Sequence, residues 1–305
     1  MHRSGTSLLT DLLANRGFAV TFSSGDNIGT RSNEQGHFED PRIVNANDML
    51  LWGLGGSWLN PWAIRDAPVQ EDRQRPLHEV WSEVRQRGSQ VLKDPRLCVT
   101  LPWWQGIWEP ELPVSYVLLF RHPTEVAASL AARDALPAVL AEALWVEYTR
   151  SALNYTRGRS RALLFHHDLI TDPDDAVEKV LKQLALESGY SGVGSVQELV
   201  RTDLYHQRKQ TTPLLVQSQV LWEKLSSPNL SDVECQLAQA TSEELRQGKS
   251  LEVVWAMAGT HYAAGSFARR ARIRDARLTF FRRNLWRLAS RVLDPSPSAH
   301  GESFL

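Results

Sequence analysis

Residues His2 to Ser7 combine basic, glycine and hydroxyl side chains directly before a helical pattern. Four leucines between positions 8 and 13 recur on one helix face, which predicts a helix that ends near 15–17. The backbone N–H groups and the dipole of such a helix N-terminus bind an anion such as a phosphate, and Thr6 and Ser7 add hydroxyl donors. The Walker loop of ATP-binding proteins is absent, because no lysine precedes this hydroxyl pair. The alternative is that Ser4 is an ordinary N-cap without a ligand.

A second candidate anion site begins where the strongest predicted strand ends. The apolar run 114–120 is typical of a buried parallel strand, and Arg121 follows it at the edge where open α/β sheets bind ligands. Pro123 is expected to start a helix that carries Ser129 about two turns along. An arginine fork with a hydroxyl suits a phosphate monoester. The alternative is a surface salt bridge for Arg121 and no special role for Ser129.

The remaining pattern predicts the elements that position these two sites. Further strands are expected at 90–92 and 162–165. Loops are expected at 21–38 and 55–75, with a connection at 189–195. The predicted helices lie at 41–54, 76–87, 138–156 and 172–186, with more between 215 and 257. This alternation predicts an α/β fold with a parallel sheet.

Composition excludes several classes of protein. With 305 residues, 42% hydrophobic and 23% charged, the chain has a globular rather than a disordered composition. No apolar run approaches the length of a membrane span, so we expect a cytoplasmic protein. The two cysteines, Cys98 and Cys235, lie outside any metal-binding spacing, so structural zinc is not expected.

The formal charge of −1 conceals a basic segment near the C-terminus. Nine arginines lie between 269 and 291 against the single acid Asp275, and apolar residues alternate with them. A basic amphipathic helix at 269–293 would contact an anionic membrane or an acidic partner, or dock on the protein with its charges in solvent. Nucleic acid is disfavoured as a partner, because the rest of the chain is acidic. A disordered tail is expected at 294–305, and no pattern indicates an oligomeric state.

Five segments, in this order, resemble the sulfotransferases that use 3′-phosphoadenosine 5′-phosphosulfate (PAPS), especially the bacterial family members. They cover about residues 1–186. The segments are His2 to Ser7, Gly36-His37-Phe38-Glu39-Asp40-Pro41 with Asn47-Asp48, Leu92-Lys93-Asp94-Pro95-Arg96 with Leu101-Pro102, Arg121-His122-Pro123 with Ser129-Leu130, and His167-Asp168-Leu169 with Asp172-Pro173.

The resemblance implies a role for each matched residue. The first loop of the family holds the 5′-phosphosulfate, and the second motif, here Arg121 and Ser129, holds the 3′-phosphate. The resemblance also implies a P-loop-like parallel sheet flanked by helices, with PAPS as the co-substrate and no metal. The residues assigned to the 5′-phosphosulfate are Arg3, Ser4, Gly5, Thr6 and Ser7, with Arg3 where many relatives have lysine.

The chemistry of sulfuryl transfer requires a base and positive charge. We favour Glu39 as the base, with His37, an imidazole that titrates near neutrality, as its rival. The alternative for Glu39 and Asp40 is to cap the helix at Pro41. Lys93 and Arg96 are expected to meet the sulfuryl group or an anionic acceptor, or else to form salt bridges with Asp94 or another acid.

Two further groups of residues are expected to be structural. Six tryptophans lie in two clusters, at 52–62 and 103–108, and core packing is favoured for them over an acceptor cleft. The pair His166-His167 has no further ligand spacing nearby and is also interpreted as structural.

In the resembling family a central strand precedes the first loop, and only Met1 precedes it here. We therefore expect that a Val/Ile-rich strand lies upstream in the native protein.

The domain assignment that follows is a PAPS-binding core at 1–190 and a helical extension at 191–268. The predicted activity is sulfuryl transfer to a hydroxyl or amine of a carbohydrate or lipid-linked acceptor. The rivals are an ATP-dependent kinase and a non-catalytic protein that binds a nucleotide or a membrane.

Overall fold

The computed structural model describes residues 1–21, 38–65, 67–85, 90–187 and 211–226. Backbone contacts divide the chain into two units, Met1–Leu251 and Glu252–Leu305, and every described residue belongs to the first. The predictions for 269–293 and 294–305 lie outside the described residues, as does most of the prediction for 191–268.

Helices and short strands alternate along the described chain. The strands are β1 (Ala19–Val20), β2 (Gln90–Val91), β3 (Tyr116–Phe120) and β4 (Arg161–Phe165). A 3₁₀ turn lies at Pro61–Ile64. The α-helices are α1 (Thr6–Asn15), α2 (Pro41–Gly53), α3 (Glu71–Val84), α4 (Leu97–Trp108), α5 (Pro123–Asp134), α6 (Ala138–Tyr155), α7 (His166–Thr171), α8 (Pro173–Gln183) and α9 (Val216–Leu225).

The four described strands form two parallel pairs. Strand β1 pairs with β2 through Ala19 opposite Gln90 and Val20 opposite Val91. Strand β3 pairs with β4 over five residues, from Tyr116 opposite Arg161 to Phe120 opposite Phe165. Each pair is connected through helices, as parallel pairing requires. The predicted α/β class with parallel strands is therefore confirmed.

Three helices begin at a proline with a capping residue before it. Asp40 accepts a hydrogen bond from the Arg42 N–H at 2.9 Å, and Asp172 accepts one from the Asp175 N–H at 3.1 Å. His122 stands before Pro123 in the same way, and its ring nitrogen lies 3.4 Å from the donating Thr124 N–H. Proline has no N–H to leave unpaired at the first helical position, so these starts were predictable.

Several elements differ from the sequence prediction, and strand β1 and helix α7 are among those that it did not include. The helix predicted at 76–87 instead spans Glu71–Val84, because Glu71 and Asp72 stabilise an earlier N-terminus and Pro76 is accommodated inside the helix. Helix α4 was not predicted. It is apolar almost all round and contains Pro102, so no amphipathic period marks it.

Two groups of buried side chains hold the elements together. The first packs α1 and α8 against β3 and β4, with Leu12, Leu119, Leu164 and Val177 among its members. Burial of leucine or valine contributes roughly 1.5–3 kcal/mol per side chain, so this packing fixes α1 and with it the loop that precedes the helix.

The second group contains the tryptophans of α4. Trp103 and Trp104 are fully buried, and Trp104 donates its indole N–H to Asn47 Oδ1 at 2.8 Å. The core-packing interpretation is confirmed for this cluster. Trp52 of α2, by contrast, is 58% exposed. Among the described residues, no helix is long and apolar enough to cross a membrane.

Candidate functional site

Three strand ends converge on the loop before α1. Lys93 lies just after β2, Arg121 directly follows β3 and His166 directly follows β4. Lys93 Nζ lies 3.4 Å from Ser7 Oγ, and Arg121 Nη1 donates to the Arg3 carbonyl at 3.2 Å. His166 packs against the Cα of Gly5. The loop therefore lies at the carboxyl edge of the strands, where α/β proteins bind ligands.

The N-terminus of α1 has no side-chain cap. Gly5 is the N-cap residue and has a left-handed backbone, with φ of 91°, and the first turn contains no acidic residue. Arg3 also has a positive φ, of 65°. The first amides of a helix have no intrahelical acceptor, so this terminus keeps its capacity to bind an anion.

Ser4 does not act as the N-cap that the sequence allowed as an alternative. Its side chain is 1% exposed, and its hydroxyl has no hydrogen-bond partner among the residues that the structure describes. A buried polar group without a partner is costly, by about 1–3 kcal/mol. An orphaned hydroxyl beside an uncapped helix N-terminus fits an anionic group that supplies the missing acceptor.

The His166 imidazole limits the space for a side chain at Gly5. A Cβ built on Gly5 would lie 2.4 Å from His166 Cδ2, so only glycine fits there. Burial, together with the positive charge of Arg121, lowers the His166 pKa to about 3, so the imidazole is neutral at pH 7. The sequence predicted a structural role for His166 but did not reveal this contact.

The structure brings the two predicted anion-binding segments into contact. Arg3 Nε donates to Ser129 Oγ at 2.8 Å, although the two residues are 126 positions apart. Arg121 contacts the same loop through the Arg3 carbonyl, as described above.

Arg121 is held firmly in place. It is 7% exposed, and its Nε donates to Glu125 Oε2 at 2.8 Å. Its own carbonyl accepts the indole N–H of Trp145 at 3.0 Å. These contacts define the orientation of the guanidinium beside Arg3.

Positive charge is concentrated around Arg3. Its pKa is lowered to about 10 by burial and by the neighbouring Arg133 and Arg121. Arg133 itself pairs with Asp134 at 2.6 Å and lies 5.7 Å above the ring of Trp58. An anion bound beside Arg3 would relieve this repulsion, which Asp134 already opposes in part.

Lys93 and Glu39 form an ion pair on the other side of the loop. Lys93 Nζ lies 2.5 Å from Glu39 Oε1, and the two side chains are 10% and 16% exposed. Burial lowers the Lys93 pKa, although Glu39 opposes that shift. A carboxylate and an ammonium are thus held close to Ser7, at the point where the sequence predicted a base and a positive group.

Some of the helix caps and salt bridges that the sequence allowed for the neighbouring charged residues do form. Asp40 caps α2 and pairs with Arg42 at 2.7 Å. Glu39 does not cap α2, and its ion pair is with Lys93 instead. Arg96 forms salt bridges with Asp48 at 2.6 Å and Asp94 at 3.1 Å. His37, the rival base, lies outside the described residues, as does Gly36.

Residues 211–226, which lie outside the sulfotransferase resemblance, pack over the start of the second motif at His122 and Thr124. The Thr211 N–H donates to Thr124 Oγ1 at 3.3 Å, and Trp222 of α9 packs edge-on at 5.0 Å from the ring of His122. Buried Glu142 accepts the N–H groups of Leu214 and Leu215 at 3.0 and 2.9 Å. Sequence reasoning missed this contact, because no local pattern links α9 to α5 and α6.

The described chain is therefore an α/β protein with an anion-compatible loop at the carboxyl edge of parallel strands. No group of three or more His, Cys, Asp or Glu side chains within the described ranges is arranged to hold a metal ion. No protein-family model, curated protein or solved structure matches the chain.

Proposed function

We propose that this protein is a PAPS-dependent sulfotransferase with a P-loop-like core. The observation that carries the proposal is the contact between the two segments assigned to the two phosphate groups of PAPS. The Arg3–Ser129 hydrogen bond and the Arg121 contact to the Arg3 carbonyl join residues more than 110 positions apart. A loop that binds one phosphate and a helix that binds another suit a nucleotide with both 3′- and 5′-phosphates.

The residues present fit the donor. The orphaned Ser4 hydroxyl and the uncapped α1 N-terminus supply donors for the 5′-phosphosulfate. Arg3 and Lys93 supply positive charge on either side of the loop. Charge that develops on a leaving phosphate is stabilised most by donors already held in place.

The transfer requires the acceptor to lose one proton. An acceptor hydroxyl or amine attacks sulfur while the bond from sulfur to the bridging phosphate oxygen breaks. The electron pair of that bond stays on the phosphate of adenosine 3′,5′-bisphosphate. Glu39 receives the acceptor proton, and Lys93, 2.5 Å from Glu39 and 3.4 Å from Ser7, stabilises the leaving phosphate. The proposed acceptor is a carbohydrate or lipid-linked hydroxyl or amine.

Calorimetric titration tests the nucleotide assignment. Adenosine 3′,5′-bisphosphate should bind more tightly than ADP or ATP with Mg²⁺. Ser129→Ala should weaken bisphosphate binding about tenfold or more and leave ADP binding unchanged, because it removes one hydrogen bond to the 3′-phosphate. We avoid Arg121→Ala, because it would remove the guanidinium that pairs with buried Glu125, which costs several kcal/mol.

Arg159→Gln is the matched control for Arg3→Gln. Arg159 precedes β4, so it lies at the opposite edge of the strands, and it pairs with Glu109 at 2.6 Å. Only Arg3→Gln should weaken binding of the bisphosphate. Preference for ATP would support a kinase instead, and failure to bind either nucleotide would refute both enzymatic proposals.

A second assay identifies the base. Glu39→Gln should reduce sulfuryl transfer from PAPS to a panel of sugars and phenols by about 10²–10⁴-fold while bisphosphate affinity is retained. If His37→Gln abolishes transfer and Glu39→Gln does not, the assignment of the base to Glu39 is wrong.

A further inference from the structure

Hydrogen bonds connect His122, at the start of α5, to segment 211–226. The Thr211 N–H donates to Thr124 Oγ1 at 3.3 Å, and the Thr124 hydroxyl lies 2.7 Å from His122 Nδ1. The Thr124 N–H donates to the same ring nitrogen at 3.4 Å, which caps α5. A titratable imidazole therefore occupies the capping position, where helices prefer Ser, Thr, Asp or Asn.

These contacts define the protonation state of the imidazole. A backbone N–H can only donate, so His122 Nδ1 must be an acceptor and the ring proton must be on Nε2. The Thr124 oxygen accepts the Thr211 N–H, which leaves the hydroxyl hydrogen to donate to Nδ1. This arrangement of hydrogen bonds therefore requires a neutral His122.

The surroundings of His122 disfavour a positive charge on the ring. His122 is 8% exposed, and Trp222 of α9 packs edge-on at 5.0 Å from it. Burial lowers the His122 pKa, although the carboxylates of Glu125 on α5 and Glu142 on α6 oppose that shift. Glu125 pairs with Arg121 at the end of β3, and Glu142 accepts backbone amides of segment 211–226. The positive end of the α5 dipole also disfavours a cation at this position.

Protonation of His122 would remove the hydrogen bonds at Nδ1. The nitrogen would become a donor that faces the Thr124 N–H, so α5 would lose its cap and the Thr124 hydroxyl its acceptor. The imidazolium would also need water, which segment 211–226 excludes while Trp222 packs against the ring. Movement of this segment away from His122 would return water to the charged ring.

We propose that His122 is a pH-sensitive contact that holds segment 211–226 against the start of α5 when neutral and releases it when protonated. Protons bind preferentially to the open arrangement, in which the ring is solvated. The open population therefore grows as the pH falls below about 6.5, the ordinary pKa of histidine. Glu142 keeps its hydrogen bonds to Leu214 and Leu215, so the release is local. This proposal does not depend on the proposed activity.

Hydrogen exchange of the full chain, followed by NMR, tests this contact. The natural protein, His122→Asn and His78→Asn are compared at pH 7 and pH 5 as protection factors, which remove the intrinsic pH dependence of exchange. Asparagine caps a helix through its side-chain oxygen and does not titrate, so His122→Asn keeps the acceptor without the switch. His78 is exposed on α3, and its substitution is the matched control.

The protection of the Thr211 amide should fall about tenfold from pH 7 to pH 5 in the natural protein and in His78→Asn. The limit set by an ordinary histidine pKa is about 30-fold. In His122→Asn the protection should stay constant. The Leu118 amide, inside the β3–β4 pair, should remain better protected than that of Thr211 at both pH values, because the opening is local.

Three results would overturn the proposal. They are the same fall in His122→Asn, no fall in the natural protein, and equal protection of Thr211 and Leu118 at pH 5, which would indicate global unfolding. If His122→Asn does not fold, the natural protein alone decides. The His122 ring signals report its protonation, and the Thr211 protection must fall over the same pH range; a fall over a different range would refute the link to His122.

Discussion

Substitution of Gly5 by alanine should destabilise the protein by two separable effects. The left-handed backbone at this position costs a residue with a Cβ about 1–2 kcal/mol. The added Cβ would also lie 2.4 Å from His166 Cδ2, so the loop or the imidazole must move, which costs about 1–3 kcal/mol more. We therefore expect Gly5→Ala to lower the free energy of unfolding by about 2–5 kcal/mol in total.

Gly55→Ala provides the matched control. Gly55 also has a positive φ, of 81°, but its chain neighbours aside, no atom in the described part of the chain lies within 4 Å of its added Cβ. It should lose only the backbone contribution of about 1–2 kcal/mol. Both variants are measured by equilibrium unfolding in urea, with unfolding followed by circular dichroism.

A double-variant cycle separates the clash from the backbone strain. In a His166→Ala background, Gly5→Ala should cost no more than Gly55→Ala does, because the obstructing ring is gone. If Gly5→Ala costs the same with and without the imidazole, or the same as Gly55→Ala in the natural protein, the claimed contact between His166 and the loop is refuted.

Two further predictions concern buried polar groups. Because the His166 pKa is about 3 in the folded protein, the unfolded chain binds the proton more readily; stability is full above about pH 6.5 and is lost as the pH falls toward 3, by about 2 kcal/mol at pH 5. Urea titrations from pH 7 to 4.5 should show a shallower decline for His166→Gln, and equal slopes would contradict the assignment. Asn47 accepts from Thr100 Oγ1 at 2.7 Å and from Trp104 Nε1 at 2.8 Å, so Asn47→Ala should cost about 2–5 kcal/mol in urea unfolding. Exposed Asn45→Ala is its control, and a similar effect of both would argue against a buried network.

Local signals predicted much of the fold. The proline starts of α2, α5 and α8 and the apolar run of β3 are encoded by neighbouring residues, so they could be found without a structure. Helix α4 could not, because a helix buried on all sides has no amphipathic period. Strand β1 is two residues long, too short for any alternation to appear.

The residues of the candidate site could be predicted from the sequence, but the contacts between them could not. The sequence indicated that Arg3 and Ser129 bind anions, but their hydrogen bond depends on how β3 and α1 pack. The same holds for Lys93, whose partner Glu39 is 54 positions away. Contacts between distant segments depend on tertiary packing, which no local pattern records.

The hydrogen bonds between Glu142 and the backbone at Leu214 and Leu215 have a consequence for synthesis of the protein. Leu214, whose amide Glu142 holds, emerges from the ribosome 72 residues later. Until then α5 and α6 can form, but the surface around His122 and Thr124 stays uncovered, and a carboxylate destined for burial stays in water. The nascent chain therefore contains Arg121 at the end of β3 well before the segment 211–226 that packs over this region is synthesised. Translation pauses between these two segments would lengthen the time during which the half-covered intermediate is exposed to chaperones and proteases.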